Sequence, residues 1–227
     1  MFHRSLPLSK TLLILGKPGG GKGTISKKII KSFPTTVHLS TGDILRDNVR
    51  AGTEIGLKAK SFMDSGALVP DDVVIALVSA RLKADASKLA GGHTLLDGFP
   101  RTVSQATALE KSGVKVDHVL NLDVPTQTIV DRISDRWISP STGTVYSYSY
   151  QPPKVRGKDD ATGEALVQRD DDKPAAVTKR LEAFDKMNGP LLEFYDTRKV
   201  LVSFAGTESD VIFKKVEPFL NKALGKK

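Results

Sequence analysis

The sequence predicts an α/β protein in which a parallel five-stranded sheet is flanked by helices. Three observations lead to this fold class. Short apolar runs alternate with helical segments along most of the 227 residues, and the links are short, as in parallel sheets covered by helices. A glycine-rich turn joins the first apolar run to the first helix. The alternation stops between residues 137 and 168, which indicates a small inserted subdomain.

The individual elements follow from these patterns in chain order. Residues 11–15 are an apolar run ending at Gly16, which is typical of a buried parallel strand. Pro70 followed by two acids predicts a helix start, and Gly52 separates two helices. Strands are predicted over residues 11–15, 37–39, 94–97, 118–124 and 200–204. Helices are predicted over residues 22–32, 43–51, 54–65, 70–84, 103–111, 126–136, 174–198 and 210–224.

The interruption differs from the rest of the chain in composition. It contains four aromatic residues, three prolines and no helical periodicity. Alternation over residues 144–146 predicts short strands around turns.

Composition excludes several classes of protein. No apolar run approaches the roughly 20 residues that span a bilayer, so an integral membrane protein is excluded. The absence of cysteine excludes disulfides, thiolate zinc sites and cysteine nucleophiles. Net charge is +8, which fits a nucleic-acid surface, an anionic membrane, a phosphorylated small substrate or a basic organelle protein. The N-terminal residues fit either a short mitochondrial import segment or a few residues ahead of the first strand.

The segment from Gly16 to Thr24 has the spacing Gly-x4-Gly-Lys of a phosphate-binding loop. Glycines let successive backbone N–H groups face an anion, and the following helix adds the positive end of its dipole. Lys22 then supplies a full charge to terminal phosphates. Gly23 follows the lysine where Ser or Thr is usual, so the hydroxyl comes from Thr24. Asp97 ends a predicted strand, where it is either an acidic turn residue or a carboxylate that supports Mg²⁺ through water.

Three further motifs carry a family resemblance. They are Ser-Thr-Gly-Asp-Ile-Leu-Arg at residues 40–46, Asp-Gly-Phe-Pro-Arg at 97–101 and Arg-Asp-Asp-Asp at 169–172. With the loop, they make the chain resemble the long-lid adenylate kinases over about residues 10–225. The resemblance implies a phosphate-loop kinase fold with four parts: an N-terminal extension (1–9), a core (10–136 and 175–227), a helical AMP-binding flap (40–69) and a small β-rich lid (137–174).

The same resemblance implies roles for particular residues. AMP would be bound by Thr41, Gly42, Arg46, Ala67, Leu68, Val69, Gly98, Phe99, Pro100, Arg101, Gln105, Arg169 and Arg180. The donor nucleotide would be bound by Gly19, Gly20, Gly21, Lys22, Gly23, Thr24, Arg132, Arg136, Val145, Tyr146, Gly206 and Thr207. The catalytic set would be Lys22, Arg101, Arg132, Arg136, Arg169 and Arg180, with Asp97 holding Mg²⁺ through water.

Several of these residues also have a simpler interpretation. Thr41 alone would be a helix N-cap, and the arginines alone would be solvated charges. Phe99 and Leu68 fit the core as well as an AMP contact. Asp171 and Asp172 fit either helix-start acids or clamps for lid arginines.

The lid sequence argues against structural zinc. Many bacterial long-lid relatives bind zinc through four cysteines, whereas the corresponding turns here, 139–142 and 159–162, carry hydroxyls and carboxylates. A hydrogen-bond cluster is expected in place of the metal.

The resemblance also suggests substrates and location. Trp137 and residues 204–209 are most similar to the mitochondrial GTP:AMP phosphotransferase branch of the family, which implies GTP as donor and the mitochondrial matrix as location. ATP as donor and a cytoplasmic location are the alternatives. Gln105 implies AMP as acceptor, and the family implies a monomer.

Two rival classes fit less well. A GTPase would carry DxxG and NKxD motifs, yet residues 64–67 give a partial echo of the first and the second is absent. A nucleic-acid binder would interleave aromatics with basic residues, whereas the aromatics here lie in the insertion beside acids. Seven predicted phosphate-facing cations nearly equal the net charge of +8, so neither a nucleic-acid nor a membrane partner is expected.

Overall fold

The computed structural model describes residues 9–65, 67, 69–85, 92–169, 172 and 174–225. Most of the predicted N-terminal extension lies outside the described residues, as do the predicted AMP contact Leu68 and the acid Asp171.

Five parallel strands form the central sheet, in the order β2-β3-β1-β4-β7. These strands are Thr11–Gly16 (β1), Thr36–Ser40 (β2), His93–Asp97 (β3), His118–Asp123 (β4) and Leu201–Ala205 (β7). The register pairs Ile14 with Asp97 and Ser40 with Asp97. The carboxyl ends of neighbouring strands therefore meet at one edge, which is where open α/β sheets bind ligands.

Eight described helices accompany the strands. They are Lys22–Ser32 (α1), Thr41–Arg50 (α2), Glu54–Asp64 (α3), Asp71–Ala84 (α4), Val103–Lys111 (α5), Thr126–Ser134 (α6), Pro174–Asp196 (α7) and Ser209–Ala223 (α8). None of them is long and apolar enough to cross a membrane.

Alternate side chains of β1 enter two apolar clusters, one on each face of the sheet. Leu12 and Ile14 pack with buried residues of α1, α6 and α8, including Ile25. Leu13 and Leu15 pack with residues of α2, α4 and α5. Period-two alternation requires this division, and it makes β1 a strand buried on both faces. The predicted fold class, a parallel five-stranded sheet flanked by helices, is confirmed.

The insertion after α6 contains two short antiparallel strands, Arg136–Ile138 (β5) and Val145–Ser147 (β6), in which Trp137 pairs with Tyr146. Isolated bridges add Ile138 to Val167 and Lys158 to Ala165. The predicted short strands around turns are therefore present. The division of the chain into core, flap and lid stays a prediction.

One wrong boundary moves a predicted site residue into a different element. The helix predicted over residues 126–136 ends at Ser134, and Arg136 is instead the first residue of β5. Pairing of Arg136 with Ser147 replaces the helical hydrogen bonds at this point, and a local pattern does not reveal a partner eleven residues ahead. The arginine consequently projects from a strand.

Leu12→Ala tests the central position of β1. Leu12 is fully buried, so truncation should lower the free energy of unfolding by about 2–5 kcal/mol. The matched control is Leu57→Ala on α3, where the side chain is 62% exposed and the change should stay within about 0.5 kcal/mol. Urea unfolding measures both, and equal losses would contradict the assignment of β1 to the core.

Candidate active site at the carboxyl edge of the sheet

The glycine-rich loop lies between β1 and α1. Gly19 and Gly21 have φ angles of 79° and 82°, in the left-handed region that favours glycine. Space imposes a second requirement, because a Cβ at Gly19 would lie 2.6 Å from Ile133 and one at Gly21 would lie 2.5 Å from the Ser209 hydroxyl. Glycine is therefore needed at both positions for the backbone to follow this path.

The start of α1 is suited to anions. No side chain caps the helix at Gly21, and its first turn contains no acid, so no side chain at the helix start satisfies the terminal N–H groups or the positive end of the dipole. The Lys22 ammonium donates to the carbonyl oxygens of Gly16 at 2.6 Å and Lys17 at 2.9 Å. The predicted donor contacts Gly20, Gly23 and Thr24 belong to the same loop and first turn. The arrangement is one that binds phosphate.

The surroundings of Lys22 are strongly positive. The pKa of Lys22 is lowered to about 8. Burial of the ammonium is the largest cause, and the positive charges of Arg101, Arg180 and Arg136 act in the same direction. The nearby carboxylate of Asp97 opposes the shift. Three of the predicted catalytic arginines thus act on Lys22, although the four cations come from four separate stretches of the sequence.

Asp97 lies at the end of β3 and is 8% exposed. The hydroxyl of Ser26, on α1, donates to its Oδ2 at 3.3 Å, and Nε2 of His38, on β2, is 3.4 Å from the same oxygen. Both neighbours were missed from the sequence, since a serine inside a helix and a histidine in a strand carry no motif. Among the described residues, no group of three or more His, Cys, Asp or Glu is placed to hold a metal.

A buried carboxylate holds two arginines that flank the predicted lid in the sequence. Asp172 accepts hydrogen bonds from Nε of Arg136 at 2.7 Å and from its Nη2, and Nη1 of Arg180 lies 3.7 Å away. Only 1% of the Asp172 side chain is exposed, so this contact is shielded from solvent. Of the two interpretations open for Asp172, the clamp is the one observed. Arg169 accepts through its carbonyl from the N–H of Asp172 at 3.0 Å.

The predicted donor-base contacts lie on strand β6 and on the loop after β7. Arg132 donates to the carbonyl of Thr207, while the N–H of Gly206 donates to the backbone carbonyl of Asp123 at 3.2 Å. On the lid side, Tyr146 is 4% exposed and its hydroxyl points into the lid. Tyr146 can therefore meet a nucleotide through its backbone, as the resemblance implies, and neighbouring Val145 is 38% exposed.

The predicted AMP contacts gather where β2 and β3 end. Ser40, rather than Thr41, is the N-cap of α2 and accepts from the Asp43 N–H at 3.3 Å, which leaves the buried Thr41 as the first helical residue. Nη2 of Arg46 donates to Asp43 at 2.6 Å and packs beside Gly42. Burial acts to raise the pKa of Asp43, but hydrogen bonding and charge from Arg46, with smaller contributions from Ser40 and Arg169, lower it overall.

The loop after β3 completes this group. Nε of Arg101 donates to the Gly98 carbonyl at 2.7 Å. Phe99 is 2% exposed and Val69 is 7% exposed, both within the same apolar cluster, so any contact of Phe99 with a ligand would be through its backbone. Pro100 is buried and Ala67 is partly exposed. The AMP-binding roles of all these residues stay predictions.

The lid turns contain the expected hydrogen-bond cluster. Asp159, 3% exposed, accepts from the N–H groups of Ala161 and Thr162 at 2.9 and 2.8 Å, and from the Tyr146 hydroxyl at 3.0 Å. Glu164 accepts from the N–H and hydroxyl of Ser141. Burial acts to raise the pKa of Asp159, but these donors lower it to about 2. The carboxylates therefore fasten the two turns together.

A glycine-rich loop before a helix, a carboxylate on the neighbouring strand and arginines near the loop lysine are the features of an enzyme that transfers phosphoryl groups. Comparison with known proteins gives the family. The sequence model of the family named "Adenylate kinase" matches residues 14–200. The chain belongs to the adenylate kinase family and is a phosphotransferase.

Two relatives show the breadth of this similarity. The mitochondrial GTP:AMP phosphotransferase of Drosophila melanogaster is 44% identical over 209 residues, which covers 92% of this chain and 94% of that protein. An adenylate kinase of Shouchella clausii (strain KSM-K16) is 44% identical over 216 residues, covering 93% of this chain and 98% of that protein. The two relatives match this chain equally well and carry different names.

Asp159→Asn tests the lid cluster. The substitution keeps the shape of the side chain but turns one acceptor atom into a donor that faces other donors, so lid amides such as those of Ala161 and Thr162 should exchange hydrogen faster at neutral pH. Because the pKa of Asp159 is lowered to about 2, its contribution is complete above about pH 4 and is lost as pH falls through 2. The difference between wild type and variant should therefore shrink in that interval.

Hydrogen exchange monitored by NMR gives the result amide by amide. The control is Asp160→Asn, since that exposed carboxylate accepts from Lys154 N–H outside the cluster. Equal exchange in wild type and Asp159→Asn at pH 7 would contradict the proposed role of this carboxylate.

Proposed function

We propose that this enzyme transfers the terminal phosphoryl group of GTP to AMP, giving GDP and ADP, with Mg²⁺ accompanying the triphosphate. The observation that supports phosphoryl transfer most directly is the electrostatic convergence of Lys22, Arg101, Arg136 and Arg180 at the phosphate loop. The choice of GTP is supported by the named activity of the Drosophila relative and by the lid and tail segments at Trp137 and residues 204–209.

The reaction needs positioning and charge stabilisation more than covalent chemistry. An oxygen of the AMP phosphate is already anionic, so it can attack the terminal phosphorus without a general base. The bond from that phosphorus to the β,γ-bridging oxygen breaks as the new bond forms. Lys22 and the N–H groups of the loop would hold the donor phosphates, while Arg46 and Arg101 would hold the phosphate of AMP.

Arginine side chains are suited to binding the phosphoryl group that is transferred. Planar guanidinium groups bind phosphate oxygens through two hydrogen bonds and stay charged at all relevant pH values. Arg132, Arg136, Arg169 and Arg180 would surround the group, and one arginine in such a position contributes about 10³–10⁵ in rate. Asp172 keeps Arg136 and Arg180 within reach of each other.

The residues present fit Mg²⁺ delivered with the nucleotide. Mg²⁺ prefers oxygen ligands and is commonly bound by one or two carboxylates together with water and substrate phosphates. Asp97 supplies such a carboxylate beside Lys22, oriented by Ser26 and His38. The ion, when bound, would neutralise charge on the donor phosphates.

Two further properties are proposed from the same family relationships. The Drosophila relative is named as mitochondrial, which supports the mitochondrial matrix as the location, with the cytoplasm as the alternative. A monomer is proposed because the resemblance to the adenylate kinase family implies one.

ATP is the competing donor, supported by the Shouchella relative named adenylate kinase. A panel of GTP, ITP, ATP and UTP with AMP separates the two. Guanine and hypoxanthine share a carbonyl at C6, whereas adenine carries an amino group there. If the enzyme reads this edge through its backbone, kcat/KM should be similar for GTP and ITP and at least tenfold lower for ATP. A preference for ATP would assign the enzyme to the alternative.

Lys22 gives a pH-dependent test of the loop. Its lowered pKa of about 8 means that about half of the ammonium groups of the free enzyme have lost their proton at pH 8, while bound phosphates favour the charged form. The KM for the donor should therefore be nearly constant up to pH 7, rise about twofold by pH 8 and then rise by up to about tenfold per pH unit. The nucleotide does not interfere, since a terminal phosphate with a pKa near 6 is already ionised.

Two variants complete the experiment. Lys22→Arg keeps a permanent charge, so its donor KM should not rise over the same pH range. Lys22→Met should abolish transfer while thermal unfolding still shows a folded protein. A flat profile for wild type, or retained activity in Lys22→Met, would refute the assigned role.

A further inference from the structure

The side-chain amide of Gln105 has partners of opposite type at its two ends. Its carbonyl oxygen accepts from the backbone N–H of Arg101 at 2.8 Å. Its amide nitrogen donates to Oδ1 of Asp71 at 2.7 Å. The first partner is a donor that cannot accept, and the second is a carboxylate that accepts when ionised.

These partners permit one orientation of the amide. Rotation by 180° would direct the amide nitrogen of Gln105 at the N–H of Arg101, and its carbonyl at the carboxylate of Asp71. Gln105 is 2% exposed, so little water is present to satisfy the groups in the rotated arrangement. Leaving a buried polar group without its partner carries the full desolvation penalty.

Asp71 is itself fixed in position. It is the first residue of α4, and its Oδ2 accepts from the Thr102 hydroxyl at 2.9 Å. That hydroxyl in turn accepts from the N–H of Gln105 at 3.1 Å and caps α5. The Asp71 carboxylate therefore links α4 to the start of α5 and orients the side-chain amide of Gln105.

An amide with a fixed orientation still has bonding capacity. The carbonyl oxygen keeps a second lone pair, and the nitrogen keeps a second hydrogen. AMP offers a matching edge, because its 6-amino group donates and its N1 accepts. IMP and GMP offer the reverse pattern, since their 6-oxo group accepts and their N1–H donates.

We propose that Asp71 is a positioning residue for acceptor specificity: by fixing the amide of Gln105 it makes the enzyme select a 6-aminopurine monophosphate over a 6-oxopurine monophosphate. The inference rests on the proposed use of AMP as acceptor. Without Asp71, rotation of the Gln105 amide no longer sets its carbonyl against a carboxylate, and only the mismatch with the Arg101 N–H remains. The rotated amide that matches a 6-oxopurine is then less costly.

The measurement is kcat/KM for AMP, IMP and GMP at saturating donor. In Asp71→Ala, the ratio of AMP to IMP should fall by about 10- to 100-fold, the value of a hydrogen bond to a charged group, and the change should lie mainly in the KM for AMP. Asp71→Asn should restore most of the ratio, because its carbonyl can accept from Gln105 while its amide donates to Thr102. Asp72→Ala is the matched control, since this neighbouring acid of α4 is exposed and its ratio should equal that of wild type.

A second readout is independent of catalysis. In protein labelled with ¹⁵N-glutamine, the side-chain amide hydrogens of Gln105 should exchange slowly in wild type and Asp71→Asn and quickly in Asp71→Ala. If Asp71→Ala fails to fold, Asp71→Ser removes the carboxylate while keeping a residue suited to a helix start.

The outcomes are distinguishable. An unchanged ratio of AMP to IMP in Asp71→Ala, with only a lower melting temperature, would overturn the inference and leave Asp71 as a tie between two helices. A wild-type enzyme that uses IMP or GMP as well as AMP would instead overturn the proposed acceptor.

Discussion

The structure of this protein has to hold several mutually repelling cations near the phosphate loop. The ammonium of Lys22 is desolvated and lies within the electrostatic influence of three arginines. Each of these cations has an internal acceptor where a contact is described: loop carbonyls for Lys22, the Gly98 carbonyl for Arg101 and Asp172 for Arg136 and Arg180. The phosphates of a nucleotide would accept from the same N–H donors. Nucleotide binding would then replace internal acceptors of these cations with phosphate oxygens, and the cations are already charged before the nucleotide binds.

The lid meets a related constraint by different means. Residues 137–168 contain three prolines and two short strands, and few of their described apolar side chains are buried. Asp135, at its base, accepts from the hydroxyl of Ser147 and from the N–H groups of Tyr148 and Ser149. Asp159 does the same in the distal turns. In the lid, carboxylates that each accept several hydrogen bonds therefore stabilise the turns, as apolar packing stabilises the core.

Carboxylates also divide their work according to position. Asp97 lies at the end of a buried strand beside the phosphate loop, Asp172 lies against Arg136 and Arg180, and Asp71 lies at the start of α4, where it accepts from Gln105. The first would support the metal, the second holds charges together, and the third orients a neutral amide. Burial and the nature of the partner decide these differences, since the side chain is the same in all three.

Much of this could be predicted from the sequence because it depends on local pattern. Apolar runs of strand length, glycine spacing and the Gly-Lys pair before a helix determined the fold class, the phosphate loop and nearly all element boundaries. Contacts between distant segments were decided only by the tertiary structure. Arg136 belongs to a strand because Ser147 pairs with it, Asp172 clamps Arg136 and Arg180 across a fold of the chain, and Ser26 and His38 reach Asp97 from separate elements. Parallel strands place residues from distant parts of the sequence side by side at one edge, and no local periodicity records which of them will meet.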